Sequence, residues 1–493
     1  MPSLRQVAAA LAVAVSPVSG LSARDDSTVA CQNLTAALGS VKTDSNQLSA
    51  QFVQSQDDYW NTRLAKNVPT CVVYPDNAQD ISVALGIIKE SGSQFAIKSQ
   101  GHNTNDFFST VNDGVLIDLS NMTAMSYDES TTLATYEPGS NWGQLYEYYL
   151  PYGVTVVGGR IAGVGTGLAL GGGMSFISPQ YGMACDSFRE LEIVLPNGTI
   201  TTASNTTNPD LFFGLKGGGG NAYGVVTKYT VQARAIGTFY AGNIVYVLDE
   251  HELVLNATRD FILYNTDPKA AILHNYNILG SPDLQLGLDE AAVMFLIYDG
   301  EDPGDAFVNF TSIPYLLNTL GPKPYTEVAN LPIPDVAKLS AGYNFFRIGV
   351  HYADDDSYMT AWDAFRQWTI DNKGAYEFVH LDYNPVAKSL TDASAAQGGN
   401  AMEMPDGPWF WAEYTLEQPS LVTDAQYNAT LASFKALVDG TPNAARLPYF
   451  LNEAATDQDA LKTFSSYSRL QQIKAKYDPD GFFSSKTGGW SFS

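Results

Sequence analysis

The 493-residue chain carries 52 Asp and Glu against 27 Lys and Arg, a formal net charge of −25. The acidic residues are scattered rather than gathered into a tail, so they read as a solubilising surface, and nucleic acid and anionic membranes are poor partners. Hydrophobic residues at 45% and charged residues at only 16% exclude a disordered or fibrous chain and predict more than one well-packed unit.

At the start, Arg5, the apolar run Val7 to Val15 and small residues from Gly20 to Ala23 have the order of a secretory signal, too short to span a bilayer. Residues 1–23 are therefore expected to be a removed leader and the product to be secreted and extracellular. Seven N-x-[ST] sequons, at Asn33, Asn121, Asn197, Asn205, Asn256, Asn309 and Asn428, fit that route and predict a glycoprotein. Of three cysteines, Cys31 and Cys71 flank a loop whose closure is worth about 4 kcal/mol in the chain-entropy model, so they are expected to be bridged. Cys185 is left over and reads as a buried structural thiol, since no His or second Cys lies near it at ligand spacing.

Cys31 to Trp60 reads as helical. The alternating, β-branched run Val68 to Pro75 reads as a strand, and Asn77 to Ser91, with Ile81, Ala84, Leu85 and Ile88 on one face, as an amphipathic helix starting at Asp76 or Asn77. A strand at Phe95-Ala96-Ile97 runs directly into Lys98-Ser99-Gln100-Gly101-His102-Asn103. Short strands follow at Val115 to Leu119, Leu133 to Glu137, Val154 to Val157, Glu190 to Leu195 and Val225 to Val231, interrupted by a helix over Asn141 to Tyr149. Past about residue 238, alternating segments at Asn243 to Leu248, Ala292 to Tyr298, Phe345 to Tyr352 and Trp409 to Thr415 are separated by helical stretches. They predict an antiparallel sheet backed by helices, and a ligand cleft between two closely packed units.

The densest signal is the glycine run Gly158 to Gly173, where missing Cβ atoms let backbone N–H groups wrap an anionic or flat cofactor. It fails as a Rossmann fingerprint because Leu168 stands where the third glycine belongs. Gly217-Gly218-Gly219-Gly220 follows a non-strand segment, and no P-loop occurs.

Five motifs stand in order: Lys98 to His102, the Gly158 to Gly173 run, Tyr181-Gly182 with Asp186, Asp210-Leu211-Phe212 through Gly224-Val225-Val226-Thr227, and Tyr477-Asp478-Pro479-Asp480-Gly481-Phe482-Phe483. Together they resemble the berberine-bridge-enzyme-like branch of the vanillyl-alcohol-oxidase type FAD oxidoreductases, in particular its secreted fungal members. The resemblance implies an α+β fold. A helical segment (24–66) and a two-part PCMH-type FAD-binding domain (67–238) come first, then a substrate domain with an antiparallel sheet backed by helices (239–445), then a segment returning to the FAD domain (446–493). It implies FAD bonded covalently to His102 and held by Lys98, Ser99, Gln100, Gly101, Asn103, Gly163, Val164, Gly165, Thr166, Gly171, Gly172, Gly173, Gly182, Asp186, Val226 and Asn452. Lys98 stands for the family's arginine and Gln100 for a glycine, which removes the fork geometry and alters the loop. Ile161 stands where bicovalent members carry cysteine, so no second flavin bond is expected.

Oxidising an alcohol or amine at a flavin also requires a proton acceptor from the later part of the chain. Phe450 stands where the family often has tyrosine and cannot serve; Tyr449, Glu453 and Glu413 are the candidates. His274, His351 and His380 are scattered, which speaks against a metal site. The aromatic strands suit either a hydrophobic substrate pocket or a plain core. The expected activity is a monomeric oxidase passing a hydride from a small alcohol, amine or phenolic or polyketide-like molecule to FAD, with O2 reoxidising the flavin to give H2O2. The alternative is a flavin scaffold for a non-redox cyclisation or for ligand binding.

Overall fold

A computed structural model describes residues 19–279, 290–331 and 342–492. Residues 1–18 of the expected leader lie outside that set. Among the described residues no helix is long and apolar enough to cross a membrane.

The fold is α+β, as expected. In the first part, the parallel strands Cys71–Val73, Val115–Asp118 and Phe95–Lys98 form a small sheet edged by Thr43–Asp44. Helix Ala78–Ser91 covers it with Ile81, Ala84, Leu85 and Ile88, all fully buried, and starts where the Asn77 side chain accepts a hydrogen bond from Asp80 N. Cys31 is disulfide-bonded to Cys71, fastening helix Ser19–Leu38 to the first strand, and Cys185 is free and buried. The stretch Cys31 to Trp60 is less helical than its composition suggests: it breaks after Leu38, pairs at Thr43–Asp44 and resumes as helix Ala50–Asp57. Beside this sheet lies an antiparallel one, ordered Met125–Asp128, Leu133–Tyr136, Val225–Gln232, Phe188–Val194, Ile200–Ser204.

The second part is built on an eight-stranded antiparallel sheet in which Phe239–Tyr246, Glu290–Tyr298, Ala270–Leu279, Phe378–Val386 and Trp409–Gln418 follow one another and Tyr343–Tyr352 stands at the end beside Trp409–Gln418. Two of these strands, Ala270–Leu279 and Phe378–Val386, are not anticipated from the sequence, because polar residues interrupt their apolar runs. Successive side chains of a strand face opposite ways. Leu381, Tyr383, Phe410, Ala412, Tyr414 and Leu416 pack with Leu255, Phe365, Trp368 and Phe434 of the covering helices. Burying each of these large side chains contributes roughly 1.5–3 kcal/mol. The other face turns back toward the first part of the molecule and walls a cavity.

Candidate active site

The cavity, about 680 Å3, runs between the two parts of the fold. Its first wall is the end of strand Phe95–Lys98 and the loop beyond it: Ser99, Gln100, Gly101, His102 and Asn103 all line it. The loop is fixed from behind, with Ser99 Oγ donating to Pro138 O at 2.6 Å and Gln100 Nε2 to Gly139 O at 2.6 Å. Gly101 has φ +67°, and a Cβ there would lie 2.4 Å from Asp58 O, so only glycine permits this approach. The His102 ring is half-buried, and among the described residues neither of its nitrogens makes a hydrogen bond. Burial holds its pKa down at about 4, so the imidazole is neutral at ordinary pH.

The glycine run supplies the second wall through Gly163, Val164, Gly165 and Gly171, with Ile161 and Val226 alongside. A Cβ on Gly171 would meet Asn452 Nδ2 at 2.6 Å. Asn452, which also lines the cavity, clasps the run: its Oδ1 accepts from Gly173 N at 3.1 Å and its Nδ2 donates to Leu168 O at 2.9 Å. Thr166, Gly172 and Gly173 stand behind this wall, Thr166 donating to Pro138 O.

Besides these three, four further expected site residues, Lys98, Gly182, Asp186 and Tyr449, do not reach the cavity. Lys98 points to the other side of its strand, where Nζ donates to Ser55 O at 2.8 Å and lies 3.7 Å from Asp118. Alternation along the strand sends it there and sends Ser99 to the cavity. Asp186 is fully buried elsewhere, accepting from Met183 N and Asn400 Nδ2, with Lys216 at 3.9 Å and Gly182 against it. Tyr449 is half-buried away from the cavity, and its neighbour Phe450 takes the wall position, stacked on Trp411.

Glu413 and Glu453 do face the cavity, within a larger polar cluster that also contains Arg160, His380, Asp382, Asn384 and Glu417. Register explains it: Asp382 pairs with Glu413 and His380 with Thr415 across neighbouring strands, so these side chains share one face. Arg160 bonds Asn384 Oδ1 and reaches Glu453 at 3.2 Å, and Asn275 Nδ2 donates to Asp382. His380 Nε2 stands 3.8 Å from Glu413, an ion-pair distance beyond a hydrogen bond.

Burial raises Asp382 to about 7 against the pull of His380, and raises Glu417 to about 7 with help from Glu377. Burial and the neighbouring Glu413 hold Glu453 well above the usual carboxylate range. For Glu413 burial is outweighed by His380 and Arg160, leaving it below its ordinary value. Opposed shifts of this kind mark sites of acid–base work.

The sequence signal for the missed groups is the polar series His380, Asp382, Asn384 at every second position of an otherwise apolar strand. The aromatic residues of the strands belong mostly to the core, and the polar ones between them line the pocket together with Phe295, Phe346 and Phe378. Among the described residues no group of three or more His, Cys, Asp or Glu is arranged to hold a metal ion.

The cavity suits a long cofactor with an anionic middle. Among its described lining residues Arg160 is the only Lys or Arg, and it is already committed to Asn384 and Glu453. A diphosphate there would rest on backbone N–H groups of the glycine loops.

Residues 69–204 match the FAD binding domain family, and residues 450–488 the berberine and berberine-like family. An uncharacterized FAD-linked oxidoreductase from Arthroderma benhamiae is 33% identical over 469 residues, covering 90% of this chain and 91% of its own. A FAD-dependent monooxygenase from Arthrobotrys oligospora is 30% identical over 85% of this chain and 81% of its own. Among solved structures, the carbohydrate oxidase from Microdochium nivale, in complex with a substrate analogue, superposes with a TM-score of 0.76 at 21% identity. It covers 92% of this chain and 98% of that one.

Proposed function

The chain belongs to the berberine-like family of FAD-linked oxidoreductases, and from that premise we propose that it is a secreted oxidase of a small alcohol, amine or phenolic molecule, with FAD bonded to His102. The observation that carries the reading is that one cavity joins the neutral, unbonded His102 imidazole and the glycine walls to a buried carboxylate cluster. When bound, FAD supplies the hydride acceptor. Ser99, Gln100, Gly101 and Asn103 with Gly163, Val164, Gly165, Gly171, Val226 and Asn452 hold it, and Thr166, Gly172 and Gly173 shape the wall behind.

A substrate carbon bearing O–H or N–H loses a hydride and a proton, and dioxygen takes both up as hydrogen peroxide. Asp382 is the group matched to receive that proton. A base works best with a pKa near the operating pH, and Asp382 stands at about 7 with Asn275 fixing one oxygen. Glu413, lowered beside His380, is a weaker base, and Glu453, raised by burial and by Glu413, accepts from Arg160 and from Asn384 Nδ2 and holds the cluster together. Asn344 Oδ1, which has no hydrogen-bond partner among the described residues, and the carboxylates make this end rich in acceptors. It therefore favours a donor-bearing substrate end over a carboxylate. Leu273, Phe295, Phe346 and Phe378 add apolar surface to the wall.

The Cys31–Cys71 bridge supports an oxidising compartment, and Asn33, Asn121, Asn197, Asn205, Asn309 and Asn428 are exposed, Asn256 half-buried. The chain acts as a monomer in this reading.

Purified protein is expected to be yellow, to be bleached anaerobically by a member of an alcohol, amine and phenol panel, and to release one peroxide per turnover in air. Product that gains an oxygen atom without peroxide would move the assignment to monooxygenation. Cyclised product with no bleaching would favour the scaffold alternative, which Phe450, a wall residue with no proton to give, supports.

A further inference from the structure

We propose that Trp60 is the positioning residue for the bond between His102 and FAD, so that attachment waits for the two parts of the molecule to dock. The inference rests on the covalent reading above.

With no hydrogen bond on either ring nitrogen, the His102 imidazole is oriented by packing alone. The indole of Trp60 stacks on it with ring centroids 5.9 Å apart and planes 8° from parallel. The same indole also stacks on Phe346, on the large sheet, at 4.9 Å.

The backbone of the same segment is stapled on both sides. Trp60 N donates to Gly101 O at 3.2 Å, next to His102, while Trp60 O accepts from Asn344 Nδ2 at 2.9 Å. Asn61 repeats the pattern, its Nδ2 donating to Thr104 O and its Oδ1 accepting from Asn344 N. Residues 60–61 thus tie the histidine loop to strand Tyr343–Tyr352. The ring is held square only when the large sheet is in place behind the indole.

Attachment replaces an N–H bond of the imidazole and a C–H bond of the flavin 8α methyl by one N–C bond. The two protons and two electrons released reduce dioxygen to hydrogen peroxide. Such a step is sensitive to alignment, because a misplacement near 1 Å costs on the order of 100-fold in rate. Burial keeps the imidazole neutral and able to bond.

The test compares wild type, Trp60→Ala, Trp60→Phe and Phe346→Ala, each expressed as the full chain and incubated with FAD in air. The readout is the fraction of flavin that stays with the polypeptide after acid denaturation, followed in time, with the visible spectrum reporting total bound flavin. Trp60→Ala should bind FAD yet attach it at least about 10-fold more slowly, Trp60→Phe should restore most of the rate, and Phe346→Ala should fall between. Attachment in Trp60→Ala as fast as in wild type overturns the proposal. If Trp60→Ala does not fold, Phe346→Ala decides in the same way. Wild-type protein whose flavin is fully released by acid instead overturns the covalent reading itself, and this inference with it.

Discussion

Along strand Trp409–Gln418, Phe410, Ala412, Tyr414 and Leu416 go to the helices, while Glu413, Thr415 and Glu417 go to the cavity. Every one of these residues is buried, so burial does not separate the two faces. The helix face is made of side chains that gain from leaving water. The cavity face is made of carboxylates for which burial is costly and is only partly offset by Arg160, His380, Asn275 and Thr415. One face supports the fold, and the other gives up stability to keep carboxylates in the cavity, with Glu417 raised to about 7.

Substitutions can break this contrast. Asp382→Asn should have the largest effect, lowering kcat by about 10²–10⁴-fold while flavin content holds. Stopped-flow reduction of the bound flavin checks it, and the rise of wild-type activity through pH about 7 should disappear. Phe410→Ala, on the opposite face, should cost ~3–5 kcal/mol in denaturant unfolding, with the surviving folded fraction turning over normally.

Glu417→Gln should stabilise the protein by ~2 kcal/mol at pH 8 and not at pH 4. The folded carboxyl is raised to about 7, so wild type loses stability as pH climbs from the unfolded pKa to that value, a loss the amide escapes. Melting curves at both pH values decide it. The smallest effect is expected at His351, buried on the helix side with neither ring nitrogen hydrogen-bonded among the described residues and its pKa lowered to about 4 by burial. Being neutral when folded, it withdraws stability as pH falls from about 6.5 toward 4. His351→Gln should flatten the melting-temperature slope over that window by a few degrees.

The two faces also differ in how readable they are. The histidine loop and glycine run could be placed from sequence because glycine and a strand end constrain the backbone locally, and Asn452, Glu413 and Glu453 followed from motif and alternation. Asp382 and His380 were missed because their role depends on register with strand Trp409–Gln418, a long-range property. Lys98, Asp186 and Tyr449 were placed in the site by motif position, yet strand alternation and local pairing turn them elsewhere. The parallel and antiparallel sheets were legible in outline. Strands Ala270–Leu279 and Phe378–Val386 were not, since cavity-facing polar residues disguise their period.

The clasp made by Asn452 has a consequence for biosynthesis. The amide that secures Gly173 N and Leu168 O emerges from the ribosome nearly three hundred residues after the turn it secures. The earlier segments can begin folding during translation. The cofactor cradle gains its final shape only once that late amide has been made, so a chain interrupted before it would leave the turn unfastened.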